Sequence, residues 1–458
     1  MTRAARFVTV SIALACATDA SSARARIVSR LCADVTSDGY VTATDGLAAL
    51  TLAVQGEYVG EADVVPQSQS EAEPNAQPDG KVTATDALVV LTASVSGSVP
   101  DCASNDMARG IVSSASCGFT TGGIADISLS DRAVIGHRIG ATDADAVVRV
   151  IGDRIFAINR FDGSSVQELD SNSDLATLWR CSVGAGSNPH DFVLATPTKG
   201  YVTRYDATAL VIVDPSVGPD CEDFVVGSID LSPYADADGL PEMDQMVLVG
   251  DRLFVSIQRL NRDDFFRPAS NGALIVIDSR TDTVTDVVEL GISNPFVETK
   301  GLSYDERSSR IWVGGPGTLF SDLDDGGIEA VDAVTLESLG VLLDGNDLGG
   351  DLLDFAIVGS SRAFAIVADE SFVARVVDVD LETGHAGAPL LSSSQNVSDI
   401  ELTADGKLWV VDRNCFDPGL RVFAIGSGDE ITAEPIYPGL TPFTIDFVAE
   451  AVAVSAAR

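Results

Sequence analysis

Histidine is scarce in this chain: its 458 residues include only His137, His190 and His385. No two of them stand at metal-ligand spacing, so clustered zinc or copper sites of the H-E-x-x-H kind are excluded, and no G-x-S-x-G nucleophile elbow occurs. Basic residues are also few, 29 against 68 acidic ones, giving a formal net charge of −39 spread along the chain. Such a field repels nucleic acid and anionic lipid and favours cations and solubility. Beyond the first residues, no run is apolar for long enough to span a bilayer. What is present is a composition 45% hydrophobic, enough for packed cores, on a chain longer than one core usually serves. Two domains are expected.

The N-terminus reads as an export signal, residues 1–25. Arg3 and Arg6 precede an apolar run from Phe7 to Ala15, and Ala23-Arg24-Ala25 offers an A-x-A cleavage site, with Ala17 and Ala20 as alternatives. Cys16 follows Ala13-Leu14-Ala15, where Ala13 occupies the usual Leu position of a lipoprotein signal, so lipid anchoring through Cys16 is not expected.

Two later segments share Val-Thr-Ala-Thr-Asp, at Val41 to Asp45 and Val82 to Asp86. The first closes a twelve-residue stretch with Asp34, Thr36, Asp38, Tyr40, Thr42 and Asp45 at the ligand positions of a calcium loop, and Gly39 at the sharp turn. Hard cations need oxygen ligands, and each of these positions supplies one from a side chain or, at Tyr40, from a backbone carbonyl. The second stretch places Asn75, Gln77, Asp79, Lys81, Thr83 and Asp86 in the same register, with Gly80 at the turn. Having fewer carboxylates, it is expected to hold calcium more weakly. Each loop runs into an apolar segment of helical length, Gly46 to Val54 and Ala87 to Val95.

A calcium loop and its exiting helix, repeated with Asp at the last ligand position, resembles a type I dockerin over about 32–102. The resemblance implies an all-α module organised by calcium, spanning 26–102, that binds a cohesin-like protein domain. It also implies partner contacts at Ala43, Thr44, Ala84 and Thr85, which precede the last ligand of each loop.

Residues 103–116, rich in Ser, Ala and Gly, read as a linker. From 117 to 458, short runs of Val, Ile, Leu and Phe alternate with Gly- and Asp-bearing turns, the pattern of many strands. One unit recurs: a polar turn, a basic residue, an apolar residue and an aromatic. It appears as GDRIFAI at Gly152, KGYVTRY at Lys199, GDRLFVS at Gly250, SSRIWVG at Ser308, SSRAFAI at Ser360 and DGKLWVV at Asp405. Inner-strand candidates precede each unit, and units begin near residues 145, 190, 243, 300, 353, 398 and 445. That period is typical of four-stranded blades. The whole is expected to be mainly β, a seven-bladed propeller closed by strands from both ends, after a small dockerin-like domain. Two strands are expected from the C-terminus and the outer ones from 118–131. The pattern resembles the YVTN-type and quinoprotein amine-dehydrogenase-like propellers, which implies architecture and not activity.

Six cysteines follow the signal, an even number suited to disulfides in an exported chain. Sequence permits fifteen pairings among six. The expectation is Cys32 with Cys102, Cys181 with Cys221 inside one blade, and Cys117 with Cys415 between the ends of the propeller.

Asp191, Asp244, Asp354, Asp399 and Asp446 recur near the start of successive inner strands, with Asp145 within about a residue of that place. Two roles remain open for them: a carboxylate ring at the axial channel that holds a cation or amine, or acceptors for nearby backbone N–H groups. His190, beside Asp191, is the foremost acid–base candidate. The acidic loop Asp236 to Asp244 does not match calcium-loop spacing and reads as a solvated turn. Taken together, these features suggest a secreted, monomeric bacterial docking and recognition protein with calcium as its cofactor. The alternative is an extracellular hydrolase, lyase or lactonase acting on polysaccharide or lactone and tethered through its dockerin. An electron-transfer enzyme lacks any sign of a cofactor site.

Overall fold

The computed structural model describes residues 41, 43–55, 87–92 and 107–449, apart from 298–299, 394–395 and 404. The basic–apolar–aromatic unit starts the second strand of six blades: Arg154–Asn159, Lys199–Arg204, Arg252–Ile257, Arg310–Gly315, Arg362–Ala368 and Lys407–Asp412. Residues two apart in a strand share a face, and in four of these blades the cation lies over the aromatic ring. Arg154 sits 5.0 Å from the centroid of Phe156, and Arg362 the same distance from Phe364. The six aromatics, Phe156, Tyr201, Phe254, Trp312, Phe364 and Trp409, are fully buried. Burial of one such ring contributes about 2–3 kcal/mol, so the unit is both a strand start and a packing anchor.

Seven four-stranded antiparallel sheets result. Their inner strands are Ala146–Ile151, Pro189–Thr196, Met243–Val249, Leu302–Asp305, Asp351–Ile357, Val397–Thr403 and Thr441–Ala449, close to where the sequence pattern starts its seven units. Inner strands of neighbouring blades touch, the seventh touching the first, and the inner strand of blade five meets blade four at its second strand, Arg310–Gly315. The chain folds as a seven-bladed β-propeller.

The closing blade corrects the sequence expectation. The C-terminus supplies one strand, Thr441–Ala449, and the N-terminal side supplies three: Met107–Ala115, Gly122–Ser128 and Ala133–Ile139. Met107–Ala115 lies almost wholly inside the segment read as a linker. Its composition misleads because Ser113 fills a buried position by bonding Thr444 across the sheet, at 2.8 Å between hydroxyl oxygens, where an apolar residue would otherwise be expected. Pairing of Met107 with Ala449 and of Ala115 with Thr441 seals the ring and removes its open edges.

Among the described residues, two disulfides are present. Cys117–Cys415 joins the closing blade to the loop at 413–418 in blade six, with Cα atoms 5.9 Å apart. Cys181–Cys221 links the outer strand of blade one, Thr177–Ser182, to the loop preceding the outer strand of blade two. It therefore joins neighbouring blades and does not staple a single one. Both fit an oxidising setting. Cys32 and Cys102 lie outside the described residues.

In the N-terminal module, a helix spans Ala43–Gln55 and a second helical segment covers 87–92, where the loop-exiting helices are expected. Gly46 lies against Leu91 so closely that a Cβ would collide with that side chain. Asp45 is buried in the first helical turn, while Ala43 and Thr44 are exposed. The remaining proposed ligands, Asp34, Thr36, Asp38, Tyr40, Thr42, Asn75, Gln77, Asp79, Lys81, Thr83 and Asp86, lie outside the described residues, as do Ala84 and Thr85. No described helix is long and apolar enough to cross a membrane.

Candidate functional site

Strand direction alternates within a blade, so every inner strand begins at one face of the disc, and every loop between second and third strands returns to that same face. On this upper face, loops of blades one to four enclose a cleft of about 540 Å³. Leu260, Phe266, Pro268, Phe296 and Leu319 give it apolar walls, and His190, Gln258, Arg267 and Asn294 give it polar ones.

Blade three builds one wall. Between its second strand and its third, Asn271–Asp278, residues 258–270 form an excursion that includes the short pairing of Leu260–Asn261 with Arg267–Pro268. The Asn261 side chain caps the turn by accepting the Asp263 N–H at 3.0 Å. Arg262 then fixes the excursion to its neighbours. It donates to Glu242 at 2.8 Å, to Asp206 at 2.5 Å and to the Tyr205 carbonyl at 3.1 Å, and its guanidinium lies over the rings of Tyr205 and Phe266. Glu242 has no exposed surface and also accepts the Leu260 N–H. Burial raises its carboxyl to about 7, against the opposing pull of Arg262.

The Tyr205 ring held in this way stacks on His190, with centroids 4.6 Å apart and planes 9° from parallel. His190 Nδ1 lies 2.7 Å from Asp244 Oδ1. Asp244 is fully buried, and that burial raises its pKa while the His190 contact acts the other way. With Nδ1 engaged, Nε2 is the nitrogen left to face a ligand. A carboxylate that orients an imidazole at a cleft is an arrangement able to move a proton.

Two amide atoms in the cleft wall are buried without a hydrogen-bond partner: Gln258 Nε2 and Asn294 Oδ1. Asn294 is oriented by donating Nδ2 to the Gly317 carbonyl at 3.1 Å. An unpartnered buried polar atom costs about 1–3 kcal/mol. Gln258 Nε2 is a donor and Asn294 Oδ1 an acceptor, so their complements are one acceptor and one donor.

The axial aspartates serve elsewhere. Asp191 Oδ2 accepts the Met246 N–H, Asp354 that of Ile400, Asp399 that of Ile445, and Asp446 that of Val150, at 2.7–3.0 Å. Each carboxylate thus ties its blade to the next one. Asp191 also accepts from Arg149 Nε at 2.7 Å, and Lys300 reaches Glu401 and Asp446, so the protein's own cations occupy the channel between these acids. Asp354 is held far toward its neutral form by burial and by the charge of Asp399 beside it. Asp145 pairs with Arg160 at 2.7 Å on the cleft rim. No group of three or more metal-ligating side chains occurs among the described residues.

Of the sequence candidates, the structure places His190 and Asp244 together at the cleft, leaves Asp191 one strand position behind them, and separates Asp354, Asp399 and Asp446 into the blade contacts. Tyr205, Gln258, Arg262, Asn294 and Phe296 were not legible as site residues. The one available signal was the long stretch between second and third strands in blade three.

No family model and no curated protein matches the sequence. Solved structures do. A candidate 6-phosphogluconolactonase from Bacteroides uniformis matches with a TM-score of 0.52 at 12% identity, over 75% of this chain and 100% of that one. A protein from Lactobacillus plantarum matches with the same score and identity, over 75% and 99%. At such identity the likeness concerns the fold alone.

Proposed function

We propose that this chain is an extracellular recognition protein whose propeller binds a small polar-edged ligand in the upper-face cleft. In the same reading, the N-terminal module, organised by calcium, attaches the protein to a cohesin-like partner. The observation that carries the first part is the pair of unpartnered atoms, Gln258 Nε2 and Asn294 Oδ1, between apolar walls. Orientation by a few convergent polar groups inside an otherwise apolar cleft is how small-molecule sites achieve specificity. The preferred ligand has an apolar face for Phe266, Phe296 and Leu319 and a donor–acceptor edge for the two amides, as a pyranose or a hydroxyl-bearing lactone does. The calcium part rests on the ligand spacing of the two loops and on the helices at Ala43–Gln55 and 87–92.

The test is a thermal-shift panel of monosaccharides, uronates and sugar lactones on the full chain, with hits quantified by calorimetry on wild type and Gln258→Leu. Loss of about tenfold in affinity or more in the variant supports the reading, since that matches the worth of one hydrogen bond to a buried group. Equal affinity in the two proteins removes it.

A second reading is favoured by the His190–Asp244 contact: the cleft hydrolyses or eliminates its ligand, with His190 Nε2 as the base that activates water or withdraws a proton. His190→Asn distinguishes the two. Under the first reading binding changes and no turnover is ever seen, whereas under the second turnover in the wild type disappears in the variant.

A further inference from the structure

Around the whole upper face, and not only at the cleft, the loops between second and third strands carry exposed phenylalanines. Blade one has Phe161, blade three Phe265 and Phe266, blade four Phe320, blade five Phe372, blade six Phe416 and the closing blade Phe119. Phe265 and Phe416 are each 91% exposed, and Phe320, the least exposed, retains 36%. Blade two has Tyr205 at the same place. Six of these phenylalanines, all but Phe416, have φ between 42° and 60°. That left-handed conformation costs a residue with a bulky side chain about 1–2 kcal/mol, and glycine adopts it freely. Phe119 packs edge-on against Phe443, Phe320 lies 4.6 Å from Phe372 and Phe266 lies under Arg262, yet each keeps a face open to solvent. Strained, solvent-facing aromatics repeated blade after blade are the kind of outlier kept for contact with something else.

Carboxylates accompany them. Asp162 follows Phe161, Asp264 precedes Phe265, Glu370 stands two before Phe372, and Asp417 follows Phe416. Asp162, Asp264 and Glu370 are exposed and have no cationic partner among the described residues. Arg413 and Arg160 on this face lie against rings, 4.3 Å from the Phe119 centroid and 5.2 Å from that of Phe443, while Arg267 is exposed at the cleft. Met107 and Ala449, where the described propeller chain begins and ends, pair at the opposite face.

We propose that the upper face docks a cationic polypeptide segment that bears apolar side chains. Its apolar groups would meet the phenylalanine ring, and its lysines or arginines the interleaved carboxylates. Charge selects among occupants. A second copy of this chain, or an anionic membrane, meets a protein of net charge −39 at a repulsive cost. A neutral glycan can donate hydroxyls to the carboxylates but gains no charge attraction from them, whereas a cationic segment gains both. The proposal goes beyond ligand binding in the cleft and uses different residues for its test.

The experiment uses the full chain and the triple variant Phe161→Ser, Phe372→Ser, Phe416→Ser, none of which lines the main cleft. Three probes are compared: a synthetic peptide alternating lysine and leucine, an equally charged peptide alternating lysine and serine, and phosphatidylcholine vesicles. The expected result is that the lysine–leucine peptide binds at least about tenfold tighter than the lysine–serine peptide and loses that advantage in the triple variant. Equal binding of the two peptides, or no loss in the variant, overturns the proposal, as does vesicle binding that the variant abolishes, which would assign the face to lipid. A separate readout guards against a structural role: Phe161 has φ 42° and is 65% exposed, so Phe161→Gly relieves strain and its Tm holds or rises. A fall of several degrees shows that the ring packs the fold and overturns the proposal.

Discussion

His190 Nδ1 and Asp244 Oδ1 lie 2.7 Å apart although they belong to neighbouring blades, and Asp244 has no surface of its own. The inner strands of blades two and three are thereby joined at the floor of the cleft. Removing the imidazole leaves a buried carboxyl that is tolerated only when neutral. In His190→Ala the Asp244 carboxyl, already raised by burial, rises further. The lost stability is small at pH 5 and grows as pH rises, because the folded state must then ionise an unpaired buried acid. Urea unfolding at pH 5 and pH 8 checks this, and an equal deficit at both pH values counts against it.

Asp354 and Asp399 supply a second pH test. Asp354 keeps its proton well above the usual carboxylate range, so between that range and its folded pKa the native state binds more protons than the unfolded one. Wild-type stability therefore falls as pH rises through this window. Asp354→Asn keeps an acceptor for the Ile400 N–H and a donor for Asp399 and has no such slope. The variant gains on wild type between pH 4 and pH 7 in paired unfolding curves. A constant difference would show that the two carboxyls are not sharing a proton.

The two disulfides should differ in worth. Their sequence separations are 298 for Cys117–Cys415 and 40 for Cys181–Cys221. Chain-entropy reasoning makes the longer loop worth about 2 kcal/mol more. Cys117→Ser with Cys415→Ser should therefore lower unfolding stability more than the Cys181–Cys221 double variant does. The reverse order would mean that pairing of Met107–Ala115 with Thr441–Ala449 closes the ring without help from the covalent link.

Arg262 is expected to hold the blade-three excursion. Arg262→Ala leaves Glu242 buried without its cation and releases Tyr205 from one side. Hydrogen exchange over 258–270 should accelerate in the variant while the blade-five strand Arg362–Ala368 stays protected. Unchanged exchange in the excursion would place its stability in the Leu260–Arg267 pairing alone.

The propeller was legible because its repeat unit has a physical cause. A basic residue at a strand start and an aromatic two places on share a face, and the ring fills the gap to the next blade, so six blades repeat the pattern. Closure was less legible. Ser113 and Ser114 are buried, yet their composition reads as a linker, and only the hydroxyl contact with Thr444 explains their place. The axial aspartates were seen as a set, but sequence could not tell an open ring from blade-to-blade ties. The choice depends on which backbone N–H each carboxylate meets, and on Arg149 and Lys300 arriving from other blades. The cleft was legible at His190, Asp244 and Asp145, and its other residues come from loops far apart in the chain and carry no shared spacing. Asp45 lies in the first turn of the helix Ala43–Gln55, which covers the apolar segment read as helical.

The most direct measurement is calorimetric titration of the tightest hit from the sugar and lactone panel into full-length wild type and Gln258→Leu, with the ligand recovered afterwards and analysed for change. Saturable binding in wild type, about tenfold weaker or more in the variant, with ligand recovered intact, is the predicted result. Binding that ignores Gln258, or a ligand converted by wild type and left whole by His190→Asn, would contradict recognition as the function of this cleft.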